Sequence, residues 1–357
     1  MKTLRRYLMS EIIGATALVF AALLMLFAFF DVVDQLRDLG RGAYRFRNIV
    51  IHVLLSVPNH IYDLFPIAAL IGTLFALAQL VASSEYTVMR TSGVSVVRMS
   101  IALMGVGMLF AVLTFVFGEF IAPPAEQLAQ RLRSQAITGL VAQEFRSGLW
   151  IKDGRNFVNV AEVTPDSKLR GVRIYEFDDQ YRLRSISLAK SGDYLGGRRW
   201  LLKDVLRTTF EDKRTSVSTS AEKSWQSALD PDLLNVLLVQ PEKMSAWSLY
   251  SYAQHLRENR QKSLQYEIAL WTKLMYPIAV LVMMVLALPF AYSQRRQGGV
   301  GAKIFTGIML GLAFYFLNQL AAHLGLLNDW SPMLSAILPT LIFLSMAIGM
   351  VWWQERR

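Results

Sequence analysis

The chain contains no cysteine, so no disulfide can staple it and no thiolate can hold a metal or attack a substrate. Charge is scarce as well: Asp, Glu, Lys and Arg make up 18% of the 357 residues, against 54% hydrophobic ones, and the mean hydropathy is +0.34. That balance excludes an ordinary soluble domain and a disordered chain alike. Motifs that convert energy or break bonds are missing too. No lysine follows a glycine, which rules out a G-x-x-x-x-G-K-[ST] phosphate loop; H-E-x-x-H and G-x-S-x-G are absent, and His52, His60, His255 and His323 are scattered. The chain therefore reads as a non-enzyme without cofactor or metal, and any ATP hydrolysis behind its work must be supplied by another protein.

What is abundant is apolar sequence in long blocks. Uncharged runs extend from Ile12 to Phe30, Leu64 to Ser84, Ser100 to Gly118, Leu274 to Gln294, Ile304 to Asn328 and Ser331 to Gln354. At 1.5 Å rise per residue, about 20 residues cross the hydrocarbon core, so each run predicts a transmembrane helix. The first reads as an uncleaved anchor, because it is longer than a signal-peptide core and no small-x-small site follows its end. The net charge of +10 points to the positive-inside rule rather than to nucleic acid. Lys2, Arg5, Arg6, Arg90, Arg98, Arg295, Arg296, Lys303, Arg356 and Arg357 share one side, while the opposite short loops hold only Arg37, Arg41, Arg45 and Arg47. Both termini are expected in the cytoplasm.

Between Pro123 and Lys262 the longest uncharged run, Met244 to Leu256, is too short and polar to cross a bilayer. The expected organisation is residues 1–122 with three spans, 123–262 as an extracytoplasmic domain, and 263–357 with three more. Leu149–Lys152 and Phe157–Val160 flank Asp153-Gly154, a hairpin signal of the type I′ kind. Val172–Phe177, Tyr181–Ala189 and Trp200–Phe210 continue the pattern around Asp178-Asp179-Gln180 and Gly196-Gly197. Short aromatic and β-branched strands at this spacing predict a sandwich, jelly roll or open barrel. Ser245–Glu258 reads as one helix with Leu249, Tyr252, Ala253 and Leu256 on one face.

Two polar constellations are candidates for function. In residues 83–93, Ser83-Ser84 can start a short surface helix, Glu85 suits its first turn, and Gly93 can end it. Glu85, Met89 and Ser92 then share one face, available to a docking protein; an ordinary interfacial connector fits the same spacing. After the first span come Asp31, Asp34, Arg37, Asp38, Arg41, Arg45 and Arg47. Guanidinium groups fork onto phosphate, so Arg37 and Arg41 could meet an anionic amphiphile, although local Asp–Arg pairing explains the composition equally well. Asp63, between Pro58 and Pro66, could mark an ion path or a packing role at a kink, whereas Glu119, Lys273 and His323 fit interfacial positions.

The order of several short segments resembles the LptF/LptG permeases of the lipopolysaccharide export machine. They are Val33-Asp34-Gln35-Leu36, Leu55-Ser56-Val57-Pro58, Phe65-Pro66, Ser84-Glu85 with Val88-Met89 and Ser92-Gly93, Gly118-Glu119 with Ala122-Pro123, and Gly148-Leu149-Trp150 with Lys152-Asp153-Gly154. The Asp-Gln-Leu segment leans toward LptG. The resemblance implies an α-helical integral membrane protein of the bacterial inner membrane, with six transmembrane helices arranged 3+3 around a periplasmic β-jellyroll-like domain. It also implies pairing with an LptF-like permease, a dimeric ATPase LptB, single-span LptC and periplasmic LptA-type jellyroll proteins, with lipopolysaccharide as substrate. By the same resemblance Glu85, Tyr86, Met89 and Arg90 lie on the ATPase-coupling helix, and Asp34, Arg37 and Arg41 lie near the lateral gate. Trp150, Phe157, Val172 and Ile174 are expected either to line the jellyroll groove or to form its closed core. Mechanotransmission by an ABC-type permease, or ion-coupled transport through Asp63 or Glu119, would also suit a chain without its own ATPase.

Overall fold

The computed structural model describes residues 2–93, 95–136, 148–163, 168–211, 214–227, 240–259, 261–293 and 300–356. Helix α1 (Lys2–Gln35) leads through a 3₁₀ turn (Leu36–Asp38) to α2 (Phe46–Ala82), the short α3 (Glu85–Thr91) and α4 (Val96–Val116). A π turn (Phe117–Ile121) joins α4 to α5 (Ala122–Ala136). Beyond the insert follow α6 (Ala246–Glu258), α7 (Leu264–Ser293), α8 (Val300–Leu327) and α9 (Pro332–Glu355).

Six segments among the described residues are long and apolar enough to cross a membrane: Arg6–Asp38, Phe46–Ala82, Arg98–Arg133, Leu264–Ala291, Gly301–Leu327 and Pro332–Gln354. They outrun the uncharged stretches because Arg47, His52 and Asp63 at the start of the second, and Glu119 to Arg133 at the end of the third, continue the same helices. Helix formation ignores charge where a side chain finds a partner or water.

The hub is α2, whose Leu70, Leu74 and Leu77 are fully buried against Leu103 of α4 and Met283, Met284 and Leu286 of α7. Helix α1 crosses α2 at Gly72, where a Cβ would fall 2.5 Å from the Thr16 Cα. Only a residue without a side chain admits a backbone that close. Pro58 and Pro66 sit inside α2 without ending it. Pro66 removes a donor from the helix ladder, and one residue from the acceptor it frees, the Asp63 carbonyl takes a 2.6 Å hydrogen bond from the Tyr276 hydroxyl of α7.

The insert is built of strands, as expected: β1 (Leu149–Asp153), β2 (Asn156–Val163), β3 (Leu169–Phe177), β4 (Leu183–Gly196), β5 (Arg199–Glu211) and β6 (Arg214–Gln226) form one antiparallel meander in chain order. The first hairpin forms where the pattern placed it, but its central residues are Gly154 and Arg155, and only Gly154 is left-handed (φ +62°). That is the type II′ arrangement, not I′. The Gly197-Arg198 turn, with both residues at φ +61°, is the I′ case. Strand β6 was not legible in the sequence, because RTSVSTSAEKSWQ is polar and lies almost wholly exposed at the sheet edge.

Pairing in the sheet is interrupted along one line, Ala161, Gly171, Lys190, Asp204 and Ala221, while the register on both sides is unchanged. Gly171 (φ +61°) and Asp204 (φ +51°) are left-handed there. The buried alternation switches across this line: Ser187 and Ala189 give way to Gly192 in β4, and Trp200 and Leu202 to Val205 in β5. One core therefore gathers Ile151, Val158, Val160, Val172, Ile174 and Val205 from one side of the line and Leu169, Trp200 and Leu202 from the other. Helix α6 buries the expected Leu249, Tyr252, Ala253 and Leu256, and Ser245 caps it by accepting the Ser248 amide.

Candidate functional site

Helix α3 lies at the end of the bundle where α1 begins. Ser84 is left-handed (φ 61°) and Gly93 (φ +85°) bounds the far end, so the helix turns sharply away from α2 and back toward α4. The Glu85 carboxylate accepts from the Ser83 hydroxyl at 3.1 Å and faces the Tyr7 hydroxyl of α1. Tyr86 is buried in the main core and Met89 packs against it. The face expected to present Glu85, Met89 and Ser92 together is thus divided: Met89 anchors the helix inward, while Val88, Thr91 and Ser92 are exposed. Arg90 belongs to the helix, but its side chain lies outside the described residues. An apolar pair holds α3 to the bundle and leaves a small, mostly uncharged edge with Glu85 beside it.

At the opposite end, each acidic residue of the α1–α2 connection has a basic partner. Asp31 meets His60 of α2 (Oδ2–Nε2, 2.6 Å), and Asp34 pairs with Arg37 at 3.6 Å on the exposed surface. Asp38 is nearly buried between Arg41 (2.7 Å) and Arg133 of α5 (2.5 Å). Tyr44, fully buried, donates to Gln35 Oε1 at 2.9 Å, and burial pushes its phenol up from the ordinary value. Arg37 and Arg41 therefore stand on separate carboxylates rather than as a bare clamp. His60 and Arg133, which complete this region, were not singled out from the sequence; each becomes its neighbour only through a helix crossing.

In the insert the four expected lining residues fall on two faces. Val172 and Ile174 are buried in the sheet core. Trp150 and Phe157, one position out of phase, are 51% and 38% exposed on the reverse side, where Trp150 stacks on Tyr175 (5.5 Å) and Phe157 meets Phe177 edge-on (5.8 Å). Alternation in a strand sends successive side chains to opposite faces, so these four do not share one surface. Asn259, which ends α6, accepts the Gly154 amide at 3.0 Å and so ties the first hairpin to α6.

Comparison with known proteins covers the chain almost end to end. Residues 6–353 match the family described as lipopolysaccharide export system permease LptF/LptG. The chain is 34% identical over 352 residues to the lipopolysaccharide export system permease protein LptG of Haemophilus influenzae, spanning 98% of this chain and 97% of that one. It is 32% identical over 350 residues to the protein of the same description from Escherichia coli K12, with 98% and 97% covered.

Proposed function

The chain belongs to the LptF/LptG family of lipopolysaccharide export permeases, and from that premise we propose that it is one half of an ATP-driven exporter that lifts lipopolysaccharide out of the inner membrane's outer leaflet. The observation that carries the reading is a family match running from residue 6 to residue 353 over a chain whose six spans are divided by a β insert. In this reading both termini and α3 face the cytoplasm and the insert, residues 123–262, is periplasmic, in keeping with the positive-inside bias of the short loops.

An LptF-like permease completes the cavity, and a dimeric LptB-type ATPase docks on α3. LptC and LptA-type jellyrolls then extend the insert's path toward the outer membrane. Glu85, with Val88 and Ser92 beside it, forms the contact to the ATPase; Tyr86 and Met89 hand the push to the core. Arg37 and Arg41 meet the charged headgroup after exchanging their carboxylate partners for its phosphates, an exchange favoured by the high exposure of both guanidiniums. A ligand shifts such an equilibrium only by its difference in affinity for the two states, so ATP must close the partner dimer more tightly around one arrangement of α3 than the other.

Native mass spectrometry of the tagged chain, purified with its membrane partners in mild detergent, tests the assembly. Recovery of a second permease, two ATPase copies and a lipid A-bearing molecule is the expected outcome. Recovery of the chain without ATPase or glycolipid in every detergent that preserves a known ABC exporter would overturn it. Glu85→Ala should release the ATPase while leaving the membrane fold intact, and unchanged ATPase recovery would remove Glu85 from the contact.

A further inference from the structure

Gly118-Glu119 and Lys273 meet where the chain returns from the insert to the membrane helices. The Glu119 carboxylate, in the π turn, accepts from the amides of Ala246 (2.7 Å) and Trp247 (3.2 Å). These belong to the amides that the start of α6 leaves without internal acceptors, and a negative charge there also complements the helix dipole. Lys273 of α7, itself buried, donates to the Met244 carbonyl and holds its ammonium 5.1 Å from the centre of the Tyr62 ring of α2. Lys243 reaches Glu126 of α5 at 2.9 Å, and Glu126 is only 1% exposed. Residues 243–247 are thus gripped by side chains from the third and fourth spans at once, with Tyr62 of the second beneath the Lys273 ammonium.

The local chain is shaped for this grip. In the π turn the Ala122 amide bonds to the Phe117 carbonyl, one residue further back than in an α-helix, immediately before Pro123 and Pro124, which offer no amides. The extra residue in a π turn shifts side chains around the helix axis, and here Glu119, within the turn, faces the start of α6. Gly118 makes room: a Cβ would lie 2.5 Å from the Tyr62 ring, the ring beneath the Lys273 ammonium. On its far side α6 packs Leu249, Tyr252 and Leu256 onto Tyr266, Ala269 and Leu270 of α7.

Apolar side chains of similar volume would hold a helix here at a smaller desolvation cost. What charged, directional partners add is a single permitted orientation of α6 relative to the third and fourth spans. We propose that Glu119 and Lys273 are positioning residues of a rigid joint that carries the movement of the membrane helices into the β insert, so that export depends on them although neither touches lipopolysaccharide. This rests on the exporter reading above.

The test uses the whole complex in proteoliposomes with a soluble periplasmic acceptor, and the absence of native cysteine permits spin labels at Ser218→Cys in β6 and Leu327→Cys at the end of α8. The unsubstituted joint should give one narrow distance. Glu119→Ala and Lys273→Met should each broaden it and lower lipopolysaccharide delivered per ATP hydrolysed at least about fivefold, the lower end of ordinary coupling effects, with hydrolysis itself retained. Glu119→Asp, which keeps the charge, should recover much of both. Should Glu119→Ala fail to assemble, Glu119→Gln carries the same test. An unchanged distance width, unchanged delivery per ATP, or hydrolysis and delivery falling in equal proportion would overturn the joint. A wild-type complex that hydrolyses ATP without delivering lipopolysaccharide would overturn the exporter reading instead, and the distance width alone would then decide the joint.

Discussion

Asp38 and Arg133 are 95 residues apart in the chain and meet at 2.5 Å, with the other Asp38 oxygen held by Arg41 at 2.7 Å. This one carboxylate fastens the end of the first span to the end of the third. It also occupies Arg41, one of the two arginines proposed to meet an anionic headgroup, while Arg37 stands on Asp34 instead.

Asp38→Ala should remove that fastening and leave two arginines facing each other. The cost is expected at about 1 to 3 kcal/mol, below that of a fully buried pair because both arginines retain contact with water. A thermal melt of the purified complex should fall accordingly. Adding Arg133→Ala on top should cost little more, and strict additivity of the two losses would show that the contact is not energetically real.

Gly118→Ala should destabilise by about 1 to 3 kcal/mol through overpacking, since its Cβ would overlap the Tyr62 ring. The effect should shrink in a Tyr62→Leu background. Equal losses in both backgrounds, measured by the same melt, would place the strain elsewhere.

The two faces of the sheet should respond differently to truncation. Trp200 is completely buried, and Trp200→Ala is expected to cost about 3 to 5 kcal/mol. Trp150→Ala, on the half-exposed reverse face, should cost about 1 kcal/mol or less, the size of a cross-strand aromatic pair. Limited proteolysis of the full chain within 149–226 reads the difference. Similar protease sensitivity of the two variants would contradict the assignment of faces.

His255 gives the α6 contact a pH dependence. Burial holds its imidazole below the ordinary 6.5, and its Nε2 stands 3.3 Å from the Asn259 amide nitrogen, whose own oxygen accepts from Gly154. A depressed histidine stabilises the folded state fully above 6.5 and loses that contribution as pH falls from 6.5 through its folded value. Protonation would also turn an acceptor toward the Asn259 amide into a donor, loosening the hairpin link. Hydrogen exchange of the α6 amides, corrected for intrinsic rate, should accelerate as pH falls below 6.5, and His255→Gln should flatten the response. Equal acceleration in both proteins would clear His255.

Local sequence carried a great deal of this. Runs of 19 to 25 uncharged residues can satisfy their backbone only as helices in a bilayer, so the six spans needed no tertiary information. The same holds for the first hairpin and the apolar face of α6, where period and turn residues lie within a few positions of one another. Strand β6 was invisible because, at an exposed edge, backbone pairing to β5 alone decides its conformation, whatever its side chains. The division of Trp150 and Phe157 from Val172 and Ile174 follows from register, which a one-residue shift would reverse. Which base meets Asp31 or Asp38, and that Glu119 and Lys273 close on the start of α6, depend on helices crossing 29 to 128 residues apart in sequence. Charge type was written in the chain; partnership was decided by packing, because a buried ion keeps its charge only where the fold brings a counter-charge or a helix end to it.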